Sequence, residues 1–512
     1  MPSEAGADRR YKLLEELVKG FGVENVLTDH EDLYVYSFYG AFGARRRPEP
    51  MAVLKLADAR DARLAKLADV YRVCVVGGDG AEKELRYEEP DAPTLVVDCR
   101  ETISAEAMRE ALSELGLKKE EGHGLRKTTP LLPWLVSSLK ARDAYRITAQ
   151  PDSDDGFCTV QRFFGGVKTY SAKGRLLLTK GLLNGELDAT GKLVDSIYNC
   201  TACGQCYGQL GLTGLEINNA IVKARCEIVK KGRGPMECRA PSNSIVSEGN
   251  PLGMPAEDRI LWFEELADEF PFRGNDVLYW SGCSTAYRLP SIVESTANLL
   301  KGAEIDFGML GTDERCCGLI LYLLGLWEEA KKNALEIVEK MRDLNVRLLV
   351  TNCAGCYYAF KRVYPILDVY PRFEVRHASQ FIESLILGGR LQLKALNGRY
   401  VWHDPCDLGR HCGVFEPPRN VLRAIPRLDL LELPLNREHA LCCGAGGGLW
   451  MYNAKLTESV ALSKVEEEIV PLDVDGVVTG CPSCILNLKY ATKQLEKEMP
   501  IHDITELVDK CI

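Results

Sequence analysis

Ten cysteines in the C-terminal half of the chain form one five-member pattern written twice, and this repeat constrains the fold more than any other feature. Cys283, Cys316, Cys317, Cys353 and Cys356 make the first set; Cys406, Cys442, Cys443, Cys481 and Cys484 make the second. Cys406, Cys442 and Cys481 lie 123, 126 and 128 residues after Cys283, Cys316 and Cys353. Self-similarity of this kind predicts two copies of one unit, packed as a pseudo-symmetric pair. In each copy short apolar runs lead into cysteines. DVLYW (276–280) precedes Cys283 and VRLLV (346–350) precedes Cys353, with helical periodicity over WEEAKKNALEIVEKMRDLN (327–345) between them. Tyr400–Trp402 and Gly476–Val478 play the same parts before Cys406 and Cys481. Strands alternating with helices predict an α/β fold with mostly parallel, helix-covered sheets. The cysteines then fall after strand C-termini, the edge where open α/β sheets bind ligands.

The chain holds 20 cysteines among 512 residues. The opening MPSEAGADRRYKLLEELV has no basic region followed by an apolar core, so no secretory signal is expected. A reduced compartment disfavours disulfides and leaves metal or cluster ligation as the main alternative. A net charge of −10, with no basic block longer than Arg45-Arg46-Arg47, argues against nucleic acid as a partner. No apolar run reaches the length of a membrane span. The run over 317–327 reads as a buried helix, and TTPLLPWLVSSL (128–139) as a surface hairpin or a membrane-contact patch. The expected location is cytoplasmic, or peripheral on the inner face of the cell membrane through a partner.

In the first unit 32 residues separate Cys283 from the adjacent pair and 35 separate the pair from Cys353-x-x-Cys356; in the second the intervals are 35 and 37. Directly adjacent cysteines rarely serve a single tetrahedral ion, and five thiolates exceed the four ligands of structural zinc. A multi-iron centre can use them all. Structural zinc, or a cluster in one unit only, is the competing reading.

The two patterns, with ERCCGLI, LLVTNCAGCYYAF, WHDPCDLGRHCGVFEPPRNVLRAIP, LCCGAGGG, VTGCPSCILNL and the linker EGNPLGMP, resemble the CCG (cysteine-rich) domains of the D-type heterodisulfide reductase subunits. The relatives of that family, the iron–sulfur subunits of sulfite reduction and of glycolate and lactate oxidation, share the resemblance, which covers about residues 155–512. The second unit's 37-residue interval is slightly longer than the family range and reads as a loop insertion. The resemblance implies one non-cubane [4Fe–4S] cluster per complete five-cysteine motif, hence one or two here, acting on sulfur–sulfur bonds. Both motifs are complete, which resembles the disulfide-reducing arrangement more than relatives that only relay electrons.

A third group is Cys200-x-x-Cys203-x-x-Cys206, the start of a ferredoxin motif whose fourth position is Leu210. In two-cluster ferredoxins the fourth cysteine of each motif serves the other cluster. The segment from Tyr170, YSAKGRLLLTKGLLNGEL, resembles the family's inter-motif stretch, and Cys158 stands where the upstream motif's fourth cysteine would lie. Cys158, Cys200, Cys203 and Cys206 are therefore the expected ligands of one [4Fe–4S] cubane. Cys226 and Cys238 compete for the fourth place, although Cys226 in NNAIVKARCEIVKK suits the apolar face of a helix.

Near these motifs, Gly444, Gly446, Gly447 and Gly448 follow the second adjacent pair. They lack a phosphate-loop signature and read as close backbone approach to a cluster. His411 and Cys412 are candidate substrate-facing groups beside Cys406, His403 reads as holding its loop, and Arg410 could attract an anion. Cys412 and the other spare cysteines otherwise read as small buried hydrophobes.

The expected organisation is 1–150, an FAD-linked-oxidase-like remnant for docking; 151–245, a helical ferredoxin-type domain; 275–395 and 398–512, the two CCG units. The remnant rests on the resemblance of residues 11–100 to the opening of that oxidase domain. Its flavin loop is reduced to VCVVGGDG (73–80), so no FAD is expected on this chain. Three functions compete. The first is an oxidoreductase that takes electrons through the cubane to the CCG clusters and reduces or forms a small-molecule or protein disulfide. The second is the relay subunit of a flavin-dependent 2-hydroxyacid dehydrogenase. The third is a zinc-bound assembly protein without catalysis. The expected partner is a flavoprotein, a ferredoxin or a cytochrome b membrane subunit.

Overall fold

The computed structural model describes residues 158–165, 167–206 and 214–512, with short N-terminal pieces at 17, 26–27, 29, 31–33, 52–56, 72–76, 82–84 and 94–99. The chain divides into two compact units, 1–197 with 206–216, and 198–205 with 217–512.

In the first unit, strands β1 (Val26–Leu27), β2 (Ala52–Leu56), β3 (Arg72–Val76), β4 (Glu82–Glu84) and β5 (Thr94–Cys99) make a mixed sheet of order β1-β2-β5-β3-β4. The central strands β2, β5 and β3 run parallel, and both edge strands are antiparallel. Strand β3 carries the start of the VCVVGGDG segment. The glycines of that segment and the apolar run at 128–139 lie outside the described residues. The helix Ala172–Leu183 begins where Ser171 Oγ accepts from Gly174 N–H, a side-chain N-cap.

The second unit carries two four-stranded, all-parallel sheets, which bears out the α/β reading. The first contains β6 (Val277–Trp280), β7 (Phe307–Gly308), β8 (Leu348–Thr351) and β9 (Glu374–His377), in the order β7-β6-β8-β9. The second contains β10 (Gly398–Trp402), β11 (Leu428–Glu432), β12 (Gly476–Thr479) and β13 (Ile501–Asp503), in the order β11-β10-β12-β13. One topology is thus built twice. The central strands β6 and β12 are buried along their whole length, and β8 and β10 are buried over their C-terminal three residues, as parallel strands under helices must be where they approach the site. The repeat extends to the caps: His377 and Asp503 end the fourth strand of their sheets, and each closes a capping box on the next helix, with Gln380 and Glu506.

The run at 317–327 differs from the single buried helix expected. Its helix spans only Leu319–Leu323 and stops before Gly325, whose φ is +86°. A Cβ at Gly325 would stand 2.5 Å from the Arg225 carbonyl carbon, so glycine is required for the backbone to pass Arg225 and Cys226. The amphipathic helix then runs Trp327–Asp343, close to the predicted span.

Candidate functional site

Strand order decides where the cysteines meet. Cys283, Cys353, Cys406 and Cys481 follow the C-terminal ends of β6, β8, β10 and β12, the two central strands of each sheet. The adjacent pairs, Cys316–Cys317 and Cys442–Cys443, sit in the longer segments after β7 and β11. All therefore gather at the carboxyl edge. A cavity of about 530 Å³ opens there between the repeats, and nine of the ten cysteines line it, Cys442 being the exception. Carbon dominates its remaining wall, from Leu252, Leu319, Ile320, Leu323, Trp450 and Leu486.

Several thiols lie at ligand-sharing distances. Cys283 Sγ is 3.9 Å from Cys316 Sγ, and Cys443 Sγ is 3.1 Å from Cys484 Sγ. Two thiolates on one tetrahedral metal stand roughly 3.8 Å apart when each bond is about 2.3 Å, so the Cys283–Cys316 spacing suits a metal-bound pair, while Cys443 and Cys484 sit closer than that, as a thiol–thiolate hydrogen bond would hold them. Hydrogen bonds from Cys316 and Cys356 bring Cys317 down to about 6 against the opposing effect of burial. Those from Cys203 and Cys406 lower Cys442, and those from Cys442 and Cys484 lower Cys443 well below the usual thiol range. In both repeats the adjacent pair therefore supplies a ready thiolate, the form that ligates metal.

Buried charges hold the loops. Glu314, two residues before Cys316, accepts from Ser281 N–H (2.9 Å), Gly282 N–H (2.7 Å) and Arg259 Nη1 (2.7 Å), tying the Cys283 and Cys316 loops together. Gly282 has φ +77°, and a Cβ there would stand 3.3 Å from Cys356 Sγ. In the second repeat Asp404, two residues before Cys406, takes two bonds from Arg419 (2.7 and 2.8 Å), one from Trp402 Nε1 (3.0 Å) and one from Arg437 N–H (2.7 Å). Burial opposes the Asp404 charge, but Arg419 holds it below its ordinary value.

A third fixture joins the repeats. His377 Nδ1 accepts from Ser379 N–H, so Nε2 carries the proton and donates to Asn352 O and Gly480 O, both at 3.0 Å. Those carbonyls immediately precede Cys353 and Cys481. Asn352 Nδ2 also donates to Asp503 Oδ1 at 3.2 Å, and Ala354 N–H to Gly480 O at 3.3 Å.

The ferredoxin-like run enters the same picture. Cys203 hydrogen-bonds with Cys442, linking it to the second cysteine set. Arg410 Nε donates to Cys203 O at 2.7 Å and Nη1 to Ala440 O at 2.6 Å; burial works against its charge, but the thiols of Cys203, Cys406 and Cys442 favour it. Arg225, fully buried, donates to Cys200 O (2.8 Å), Leu323 O (2.7 Å) and Gly447 O (2.6 Å). Gly446 and Gly447 line the cavity and also press on this run, since a Cβ at Gly447 would stand 2.4 Å from the Thr201 carbonyl carbon. Gly444 packs instead on Thr457 and Val460. Within the other unit, Cys158 Sγ accepts from Arg175 Nη1 at 3.7 Å, and Cys206 lies in a turn. Cys226 and Cys238 are buried, and burial raises each thiol to about 11.

His411 and Cys412 do not line the cavity. His411 Nε2 lies 3.0 Å from Ala202 O, its ring stacks on Tyr358 with centroids 4.8 Å apart, and burial lowers its pKa to about 3. Burial pushes Cys412 up to about 12. Arg259, Arg225 and His377 escaped the sequence reading; the available signal was the acid two residues before Cys316 and Cys406, which demands a cationic or N–H partner once buried.

The cysteine-rich CCG domain family matches residues 277–361 and 400–489. The D-type subunit of the dihydromethanophenazine:CoB–CoM heterodisulfide reductase of Methanosarcina acetivorans is 32% identical over 67% of this chain and 84% of its own length. The probable iron-sulfur-binding oxidoreductase FadF of Bacillus subtilis is 30% identical over 62% of this chain and 47% of its own. The B-type subunit of the CoM/CoB fumarate reductase of Methanothermobacter marburgensis is 31% identical over 63% of each.

Proposed function

This chain belongs to the family of the D-type heterodisulfide reductase subunits and their iron–sulfur oxidoreductase relatives, and on that premise we propose that it breaks or forms a disulfide in the cavity between its two cysteine sets. The carrying observation is that single cavity, lined by all five cysteines of the first repeat and four of the second. Cys283, Cys316, Cys317, Cys353 and Cys356 would hold one non-cubane [4Fe–4S] cluster, and Cys406, Cys442, Cys443, Cys481 and Cys484 another. Cys158, Cys200, Cys203 and Cys206 would hold one cubane. Bound there, the clusters supply electron transfer in one-electron steps. The donor set suits iron better than zinc, because each repeat offers five thiols and at least one of each adjacent pair, Cys317 in the first and Cys443 in the second, is predisposed to ionise.

The chain's own residues set the conditions. The apolar wall excludes water and holds the organic arms of a disulfide. Reduction breaks one S–S bond, takes up two electrons and two protons, and releases two thiols; oxidation reverses each count. The Cys203–Cys442 contact favours electron exchange between the cubane and the second repeat. The electrons come from, or pass to, a partner protein: a flavoprotein, a ferredoxin or a cytochrome b membrane subunit. Residues 1–150 are proposed as the docking region, 151–245 as the cubane domain, and 275–395 and 398–512 as the CCG units. Among the described residues no helix is long and apolar enough to cross a membrane.

A relay role, as the electron-passing subunit of a flavin-dependent 2-hydroxyacid dehydrogenase, is the second reading; the relatives include an iron-sulfur-binding oxidoreductase whose name carries no thiol substrate. Anaerobic purification with iron and sulfide quantification, Mössbauer spectra and a disulfide-reduction assay separates the two. About twelve irons per chain, with turnover of a disulfide by reduced protein, is expected. About four to eight irons and electron transfer without disulfide turnover would put the relay first.

A further inference from the structure

The second repeat holds an imidazole that the first lacks. His403 stands three residues before Cys406; at the same offset from Cys283 the first repeat has Trp280. Its main chain is fixed, with N–H donating to Val478 O at 2.9 Å and its carbonyl accepting from Thr479 Oγ1 at 3.0 Å. The side chain is different. His403 is 1% exposed, yet neither Nδ1 nor Nε2 has a hydrogen-bond partner. A neutral imidazole offers one N–H and one lone pair, and leaving both unmet in the interior carries the full desolvation penalty of each. Such orphaned groups call for a specific explanation, an ion among them.

Two neighbours supply one. A ring nitrogen of His403 and the sulfurs of Cys443 and Cys484 all lie within 4.8 Å of one another. Close by, Lys464 Nζ binds Glu468 Oε2 at 2.6 Å in a buried pair, while Glu468 Oε1 has no hydrogen-bond partner. Burial dominates the His403 ring and keeps it neutral, with Lys464 acting in the same sense and Asp404 and Glu468 against it. Histidines that ligate metals almost always donate their other N–H to a carboxylate, carbonyl or water.

We propose that His403 is a nitrogen ligand of the iron centre in the second repeat, beside Cys443 and Cys484. The inference rests on the iron–sulfur reading above and adds an asymmetry to it. His403 would add a neutral nitrogen ligand to a repeat that keeps all five of its cysteines. The Trp280 indole has an N–H and no lone pair to give. Two repeats alike in cysteine therefore differ in ligand set, and their centres should differ spectroscopically and in potential.

The test is pulsed EPR on the anaerobically purified full chain, poised across a redox titration, with natural-abundance and 15N-histidine-labelled samples. The expected result is a nitrogen coupling of directly bonded strength that converts to 15N on labelling. It should vanish in His403→Phe, which keeps a ring of similar volume, and that variant's second-repeat signal should titrate at a different potential. No histidine-derived coupling of that strength in the native protein, or its persistence in His403→Phe, overturns the assignment. The native measurement decides even if the variant fails to fold. Iron and sulfide content of the same sample separates the premises: a full complement without histidine coupling removes His403 alone, whereas missing iron in the second repeat overturns the cluster count and the ligand together.

Discussion

Arg259 and Glu314 face each other at 2.7 Å with each side chain 2% exposed. The pair stands behind Cys283 and Cys316, and its acid holds two backbone N–H groups of the Ser281–Gly282 turn. Removing one member strands the other as a buried charge, which costs roughly 3–5 kcal/mol. Arg259→Met should lower stability by that order in anaerobic denaturant unfolding. Its iron loss should fall in the first repeat, and Mössbauer spectra should show the second repeat intact.

Gly447 touches the ferredoxin-like run rather than open space. With φ +66° and a prospective Cβ 2.4–2.7 Å from backbone atoms of Thr201 and Cys200, Gly447→Ala must displace that run. A loss of about 1–3 kcal/mol is expected from overpacking alone, with weakened retention of the cubane. Gly191→Ala is the control, since nothing lies within 4 Å of its Cβ and its φ is not positive. That variant should be neutral or slightly stabilising in thermal unfolding.

Asp503 gives a pH signature. Burial raises its carboxyl from 3.8 to about 7, opposed by hydrogen bonds from Thr505 and Asn352. The folded state therefore binds this proton more tightly than the unfolded state. Its contribution to stability is fully present below the unfolded value near 3.8 and is lost as pH rises through about 7. Asp503→Asn should flatten this part of the stability–pH curve, with a gain on the order of a few kcal/mol at about pH 8 relative to the native chain. Chemical denaturation at a series of pH values measures it.

Arg410 places a fixed positive charge among Cys203, Cys406 and Cys442. Arg410→Gln should lower the midpoint potentials of centres built on those thiols, by an equivalent of roughly 1–4 kcal/mol at close range. Arg410→Lys keeps the charge and should restore most of the potential. A redox titration followed by EPR distinguishes this from simple loss of the hydrogen bonds to Cys203 and Ala440, which both variants suffer.

Periodicity carried the repeat well. The Val-Leu-Tyr-Trp and Gly-Val-Val-Thr runs are strands, and Trp327–Asp343 is a helix close to its expected bounds, because burial on both faces or on one stripe leaves a direct mark on the sequence. What escaped depends on long-range partners. Arg225 lies in a run that looks like an ordinary amphipathic helix, yet it points inward to gather carbonyls from residues 200, 323 and 447. His411 suggested substrate chemistry by its place beside Cys406, while the fold turns it to the Ala202 carbonyl and away from the cavity. Neither orientation is encoded in local spacing. The helix at 319–323 ended early for the same reason, the close passage of Arg225 past Gly325.

The single N–H of His377, shared by Asn352 O and Gly480 O, makes the base of the crevice a seam rather than a hinge. His377 and Asn352 belong to the first repeat and Gly480 to the second, so the two halves cannot swing apart there without stranding the Gly480 carbonyl, which takes both the His377 N–H and the Ala354 N–H. Room for a guest molecule then has to come from rotation of side chains such as Leu486, Tyr490 and Arg288, which line the cavity. A pocket framed this way selects by width, because the seam fixes the loops that carry Cys353 and Cys481 relative to each other.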